Sequence, residues 1–264
     1  MGEGFIVPTP EQMKPLGEAV QDQPDQIYEP DTVTAYSNFG TALLGRLVEI
    51  ISGQSYADYV DQHILQPLDM THSSAAQPLP ADLQPDMVSG FTTFAGTEPA
   101  PFEHISGAPV RSISATSVDM ARFMNFALGH EPRILKRETL QVMQTPALDP
   151  SKAGVATTST ETMGLQFWLG QRNGHDIVYH SGDTGVFHSM LMAVPDKDLA
   201  VFISSNGNGN GDINMRALIA SFDDRYLGAA APVGPAIDSA PEDAANSPAA
   251  TPFRVNRGPA CSSS

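Results

Sequence analysis

Residues 36–56 have the sequence YSNFGTALLGRLVEIISGQSY, which predicts one helix followed closely by a second. Ser37 or Asn38 can cap the first helix, and Gly53 can end it. Ser55 opens a capping-box pattern, S-x-x-D, at the start of the second helix. The apolar residues of the first helix recur at helical spacing: Leu43, Leu44, Leu47, Val48 and Ile51. The stretch therefore predicts a helical hairpin.

The segments on either side of this hairpin have different compositions. Residues 1–35 are rich in proline and acidic residues, which predicts an extended lead-in. Residues 71–114 lack sustained periodicity, so we expect a long connection that lies on the surface. Thr116 can cap a further helix that ends at Gly129, and a short helix is predicted around Leu140.

The pattern changes to short runs of strand-forming residues beyond Gly164. Residues 195–198 are typical of a hairpin turn between the last two runs. Asp212 can cap a final helix, on which Met215, Leu218, Ile219 and Phe222 would face inward. The four predicted strands are 165–169, 177–179, 189–194 and 199–203. Helices followed by an antiparallel sheet and a closing helix predict an α+β fold.

Composition excludes several classes of function. Fourteen basic residues against 30 acidic ones give a net charge of −16, which argues against binding to nucleic acid or an anionic membrane. A single cysteine, Cys261, excludes an internal disulfide framework and a multi-cysteine zinc site. No apolar stretch is long enough to cross a bilayer, and the N-terminus lacks the pattern of a secretion signal. Residues 228–264 are rich in Ala, Pro and Ser, which predicts a disordered tail or linker after a domain of residues 1–227.

Tyr36 and Asn38 form the first candidate site, at the N-terminus of the first predicted helix. The positive end of the helix dipole favours a phenolate, so we expect Tyr36 to act as a general base. Asn38 can donate its amide to a substrate carbonyl. A capped helix with a buried tyrosine would give the same three residues without any catalytic role.

His180, Ser181 and Gly182 form the second candidate site, at the end of a predicted strand. Glycine would let a substrate lie against the strand, and the next backbone N–H, that of Asp183, can point into an oxyanion hole. A histidine in this position is structural in many proteins. His175 and His188 are close in sequence to His180, but without ordered carboxylates they predict no metal site. No cofactor is predicted.

Several motifs together resemble the class C beta-lactamase-like superfamily of serine hydrolases and penicillin-binding proteins. Tyr-Ser-Asn-Phe-Gly from Tyr36, Ser-Gly-Gln-Ser-Tyr from Ser52 and Pro-Leu-Asp-Met-Thr from Pro67 resemble its second-motif region. The segment around Asp119 resembles its helix after the central loop. His180-Ser181-Gly182 resembles its third motif, which is Lys-Thr-Gly in true beta-lactamases and often His-x-Gly in related esterases and peptidases. The resemblance covers roughly residues 1–227, in the family's order.

This resemblance implies a beta-lactamase/transpeptidase-like fold and an acyl-enzyme mechanism on a small acyl substrate, an ester, an amide or a beta-lactam. Tyr36 and His180 would be catalytic, and Asn38, Ser181, Gly182 and Asp183 would bind the substrate or its oxyanion. The family's serine and lysine belong to a Ser-x-x-Lys motif that lies several tens of residues before the tyrosine. None of the four lysines has a serine three residues before it, so the motif is absent. We therefore expect an N-terminal segment to be missing and the chain alone to be inactive.

Two alternatives remain open at this level. The chain could be a non-catalytic binding protein that keeps the substrate cleft without a nucleophile. It could instead be half of a two-chain enzyme, in which a partner supplies the serine. An in-frame Ser-x-x-Lys upstream of Met1 would distinguish a truncated hydrolase from both. Family members are often periplasmic or secreted, although this sequence carries no targeting signal of its own.

Overall fold

The computed structural model describes residues 5–92, 98–149, 156–157, 162–207 and 211–228. The helices are α1 (Leu16–Ala19), α2 (Asn38–Ser52), α3 (Tyr56–Val60), α4 (Ser117–Ala127), α5 (Arg137–Met143) and α6 (Gly211–Tyr226). The strands are β1 (Ile6–Val7), β2 (Val33–Thr34), β3 (His104–Ile105), β4 (Ala156–Thr157), β5 (Thr162–Met163), β6 (Trp168–Arg172), β7 (His175–Asp183), β8 (His188–Val194) and β9 (Leu199–Ser205). The mixed α+β fold agrees with the prediction. The predicted tail, from residue 229 onward, lies outside the described residues.

The helical hairpin is formed by α2 and α3, as the sequence predicts. Ser37 caps α2, because its Oγ accepts a hydrogen bond from the Gly40 N–H. Gly53 ends α2 with φ of 72°, in the left-handed region that glycine adopts without strain. Ser55 then caps α3 by accepting from the Asp58 N–H. Only three residues connect the two helices.

The main sheet has five antiparallel strands in the order β5-β6-β7-β8-β9. The predicted strand 165–169 begins instead at Trp168. The reason is a turn before it, in which Gln166 has φ of 68° and the Gly164 N–H donates to the Phe167 carbonyl. The hairpin between β8 and β9 turns through residues 195–198, as predicted.

Helix α6 covers one face of this sheet. Ile219 is buried against Ile177 and Tyr179 of β7, and Met192 and Val194 of β8 complete the cluster. The helix begins at Gly211, so the predicted cap Asp212 lies inside it. The prediction for Leu218 was wrong: its side chain is 56% exposed, one position away from the buried Ile219.

The long connection 71–114 is not confined to the surface, so this expectation was wrong. Leu79, Ile105 and Val110 are buried in it. Its backbone polar groups find partners by strand pairing, since β3 pairs with β1, and Ser74 pairs with Ser114. Buried backbone requires such partners, and pairing therefore allows this segment to reach the core.

Asp119 links this connection to α4. Its carboxylate is 1% exposed and accepts hydrogen bonds from the His72 N–H and the Ser73 hydroxyl, both at 2.8 Å. Arg122, one turn later on α4, forms an ion pair with the same carboxylate. Thr116 caps α4 by accepting from the Asp119 N–H. Asp119 is therefore a structural residue.

One side of α2 carries large aliphatic residues that the described residues leave partly or mostly exposed. Their exposed fractions lie between 38% and 83%, whereas the buried residues of α2 are the small Ala42 and Gly45. This surface, the α2 apolar face, consists of Leu43, Leu44, Leu47, Ile50 and Ile51. Within the described ranges, no helix combines the length and the apolar character needed to span a membrane.

Candidate active site

Tyr36 lies at the junction between the helical hairpin and the main sheet. Its ring centroid is 5.8 Å from that of His180 and 6.1 Å from that of Trp168, on which it stacks. Tyr36 immediately precedes the cap of α2, while His180 and Trp168 belong to β7 and β6. The fold thus brings together two candidate residues that are far apart in the sequence.

The Tyr36 hydroxyl has a raised pKa, contrary to the expectation of a helix-stabilised phenolate. Partial burial of the ring raises the pKa above its ordinary value of 10.0, because desolvation disfavours the charged form. The positive charge of Arg111 lowers the pKa, but by less. In this chain Tyr36 is therefore a neutral phenol near neutral pH.

His180 is a half-buried residue whose ring has a defined tautomer. Its Nδ1–H donates to the carbonyl of Ser181 at 2.6 Å, because a carbonyl oxygen can only accept. Nε2 is then the unprotonated nitrogen. Burial lowers the pKa of His180 below its ordinary value of 6.5, and the bond to Ser181 opposes this shift. A neutral imidazole with a free lone pair beside a neutral phenol can exchange a proton with a substrate.

Beyond Tyr179, the backbone of β7 is no longer paired with β6. The last pair between these strands is Trp168 with Tyr179, whereas β8 follows β7 as far as Asp183. The Thr184 N–H donates to the Phe187 carbonyl, so by alternation Gly182 is bonded to β8. The N–H groups of Ser181 and Asp183 therefore point to the opposite edge, the one next to Trp168.

Gly182 and Asp183 belong to this free edge, and Asn38 follows two residues after Tyr36. Gly182 is exposed, and a Cβ added there would meet no atom within 4 Å, so there is room for a ligand over the strand. The side chain of Asp183 is held on the other face of the sheet by His188 Nδ1 at 2.6 Å. Asn38 is the first residue of α2, and its amide makes no hydrogen bond with another described residue.

Three residues of this region were not predicted from the sequence. Gln166 accepts a hydrogen bond from Thr41 of α2 at 3.2 Å, which links the helix to the sheet beside the site. Trp168 stacks on Tyr36, and Arg111 acts on its hydroxyl. The only signal for Trp168 was that it is the single tryptophan of the chain, and Arg111 gave no signal in one sequence.

The cavity of the fold lies apart from the candidate site residues. A cavity of about 150 Å³ is lined by residues that include Lys14, Glu49 and Tyr56, and none of the predicted site residues contributes to it. Among the described residues, no three His, Cys, Asp or Glu side chains are grouped so that they could hold a metal ion. The Tyr36 and His180 region therefore lies outside this cavity.

The family model called Beta-lactamase matches residues 11–223, which is most of the chain. The chain belongs to the beta-lactamase family. Penicillin-binding protein 4 of Amycolatopsis lactamdurans is 30% identical over 191 residues, which are 67% of this chain and 48% of that protein. Beta-lactamase-like protein 2 of Dictyostelium discoideum is 32% identical over 116 residues, 43% of this chain and 21% of that protein.

Solved structures agree with the beta-lactamase fold. A class C beta-lactamase mutant has a TM-score of 0.61 and 21% identity, covering 82% of this chain and 65% of its own. A penicillin-binding protein from Bacillus halodurans has a TM-score of 0.62 and 22% identity, covering 80% of this chain and 64% of its own. This beta-lactamase-family chain therefore spans about half the length of the Amycolatopsis relative and about two thirds of these structures.

Proposed function

We propose that this chain is the acyl-binding part of a serine hydrolase that forms an acyl-enzyme from an ester, an amide or a beta-lactam. The contact between the Tyr36 and His180 rings, 5.8 Å apart, is the observation that carries the proposal. It joins the two motifs for which the family resemblance implies chemistry. Residues 1–227 would form the catalytic domain, and 228–264 a tail.

In this proposal each residue of the cleft has a separate task. The N–H of Asp183 donates to the oxyanion that develops as the acyl carbonyl is attacked. The N–H of Ser181 and the open surface over Gly182 receive the substrate along the free edge of β7, and the Asn38 amide donates to a substrate carbonyl. Tyr36 and His180 transfer the proton between the nucleophile and the leaving group. Water then releases the acyl group.

The nucleophile is the part that this sequence does not contain. It has no Ser-x-x-Lys motif, and the pKa of Tyr36 is raised rather than lowered. A lysine close to the phenol would lower that pKa, because a nearby cation favours the phenolate. We infer that an N-terminal segment with the serine and lysine completes the site, and that the chain alone does not turn over.

Turnover of nitrocefin and of p-nitrophenyl acetate tests this proposal. The purified chain is expected to give no rate above background, since loss of a catalytic nucleophile costs up to about 10⁶-fold in rate. The chain joined to the segment encoded in frame before Met1 is expected to turn over at least one of the two substrates. Tyr36→Phe should abolish that activity, whereas Tyr28→Phe, at an exposed tyrosine outside the cleft, should not.

The other outcomes discriminate between the alternatives. Turnover by the chain alone that is lost in Tyr36→Phe would mean that a nucleophile within this sequence had been overlooked. An extended protein that binds substrate without turnover would favour a non-catalytic binding protein. Activity that requires a separately encoded serine-containing chain would favour a two-chain enzyme.

A further inference from the structure

The turn between β7 and β8, residues 184–187, directly follows Asp183, whose N–H is the proposed oxyanion donor. Most of the backbone donors of this turn are bonded within it. The Thr184 N–H donates to the Phe187 carbonyl at 2.8 Å, and the Thr184 hydroxyl accepts from the N–H groups of Val186 at 3.4 Å and Phe187 at 3.1 Å. These bonds give the turn a defined shape, but they do not fix its place relative to the rest of the fold.

The remaining N–H of the turn, that of Gly185, is bonded to a distant segment. It donates to Glu103 Oε1 at 2.8 Å, across 82 positions of the sequence. The approach is close, because a Cβ added to Gly185 would lie 2.8 Å from the same oxygen. Val186 is approached in the same way, since a Cβ added to Gly90 would lie 2.3 Å from Val186 Cγ2. Gly90 and Glu103 both belong to the long connection 71–114, which thus contacts the turn at two successive residues.

The burial of Glu103 is unfavourable for stability at one of its two oxygens. Oε2 is buried and accepts no hydrogen bond from a described residue. A buried carboxylate oxygen without a partner costs free energy, because it loses its hydration without compensation. Oε1 meanwhile forms a charge-assisted bond to a backbone N–H, a strong and directional kind of contact. This combination favours a role in placing the turn over a role in stability alone.

We propose that Glu103 is a positioning residue for the oxyanion site: by holding Gly185, it sets the direction of the Asp183 N–H two residues earlier. The Asp183 peptide lies between Gly182, which is bonded to β8, and Thr184, which is bonded within the turn. Its own N–H points to the free edge of β7, so its direction follows from where the turn is held. An oxyanion donor is effective only when it is already aimed at the developing charge. The inference rests on the proposed function, which assigns this N–H to the oxyanion.

Steady-state kinetics of the extended protein, the chain joined to the segment encoded before Met1, test this role. The substrate is whichever of nitrocefin and p-nitrophenyl acetate the protein turns over. Glu103→Ala should lower kcat about 10- to 100-fold, as is typical for a displaced oxyanion donor, and change KM by less than about twofold. The two constants separate because the donor acts on charge that develops only in the transition state. Glu103→Gln keeps an oxygen that can accept from the Gly185 N–H, so it should recover most of kcat.

Two further variants make the result specific. Glu98→Ala removes an exposed carboxylate from the same connection and should leave kcat unchanged. Gly185→Ala should lower kcat, because the added Cβ would push the Glu103 carboxylate away, and the backbone there is outside the left-handed region and accepts alanine. In the Glu103→Ala background the space is empty, so Gly185→Ala should have no further effect. Two independent sites would instead give additive losses.

The contact itself can be followed in the chain alone by amide hydrogen exchange, measured by NMR. Exchange of the Gly185 N–H should be slow in the wild-type chain, faster in Glu103→Ala and slow again in Glu103→Gln. Circular dichroism and thermal unfolding check that each variant is folded at the temperature of the assay. A Gly185 N–H that exchanges equally fast in all three proteins would overturn the inference.

The kinetics separate failure of this inference from failure of the proposed function. If folded Glu103→Ala kept the kcat of the unmodified extended protein, the positioning role would be overturned and the proposed function would stand. If the extended protein turned over neither substrate, the proposed function would be overturned, and this inference with it.

Discussion

At the residue scale, burial determines the protonation states of Tyr36 and His180, the two acid–base candidates. Desolvation disfavours the charged form of each, so it raises the pKa of Tyr36 and lowers that of His180. Both side chains are therefore neutral at pH 7. A pair of neutral groups can relay a proton in either direction, which suits a step that must first remove a proton and later return it.

The lowered pKa of His180 predicts a pH-dependent stability. Because the folded state binds this proton less tightly than the unfolded state, the free energy of unfolding should fall as pH drops through and below 6.5. His180→Gln should remove this part of the dependence. Urea unfolding from pH 5 to 8 would measure it as the difference between wild type and variant. His63→Gln, at an exposed histidine on the helical side, serves as the control.

If the free energy of unfolding depended on pH in the same way in the wild-type protein and in His180→Gln, the lowered pKa of His180 would be contradicted. The other histidines, four of which pair with carboxylates, are present in both proteins, so their contribution cancels in the difference.

The sequence predicted the candidate residues better than their electrostatics. Tyr36 and His180 stand in motifs that carry family resemblance, so they could be selected from one sequence. The direction of the Tyr36 pKa could not, because the helix-dipole argument omits desolvation, which depends on what packs over the ring. Arg111 and Trp168 acquire their places through tertiary contacts, which no local pattern records.

At the scale of elements, the capping patterns predicted where α2, α3 and α4 begin, and Gly53 predicted where α2 ends. Each has a side-chain cap that involves residues within one turn, so the information is local. The burial of segment 71–114 was missed because it depends on partners elsewhere in the chain. The start of β6, three residues later than predicted, follows from the turn at Gln166, whose positive φ the strand pattern did not indicate.

Asp119 gives the sharpest prediction for an element. Asp119→Ala removes the acceptor of two hydrogen bonds and leaves Arg122 without its partner, at a site that is almost completely buried. The free energy of unfolding should fall by about 2 kcal/mol or more, since each buried donor left without its acceptor costs about 1–3 kcal/mol. Chemical denaturation would measure the loss. The exposed Asp82→Ala should stay within about 0.5 kcal/mol of wild type, and a similarly small change for Asp119→Ala would refute the structural role.

On the scale of the whole molecule, the described residues leave the α2 apolar face exposed and place β9 at the edge of the main sheet. Exposed aliphatic surface of this kind is an aggregation hazard, and so is an open sheet edge. The periodicity of α2 predicted its apolar residues. Which of them are covered depends on the rest of the fold, and this could not be predicted from periodicity.

We expect the chain to gain stability when the upstream segment is restored by fusion, and Leu47→Ala to report where the segment binds. In the chain alone this variant should cost less than about 0.5 kcal/mol, because Leu47 is largely exposed. In the fusion protein it should cost about 2 kcal/mol or more, the usual cost of truncating a buried leucine. Thermal and urea unfolding of both forms would measure this. Val142→Ala, on the exposed side of α5, is the control.

Equal midpoints for the short and extended proteins, together with a monodisperse short form, would contradict the missing-segment proposal. That result would favour a self-contained binding protein.

The contact between Gly45 and Pro109 has a consequence for the spacing of two segments. A Cβ at Gly45 would lie 1.9 Å from Pro109 Cγ, so the proline ring fills the space that any other residue's side chain would need. The distance between α2 and the segment that leads to Arg111 is thus set by direct contact between the helix backbone at Gly45 and the proline ring. A side chain larger than hydrogen at residue 45 would have to push the Pro109 segment away from α2. The spacing between this helix and the chain that leads to Arg111 therefore depends on the absence of a Cβ at one position.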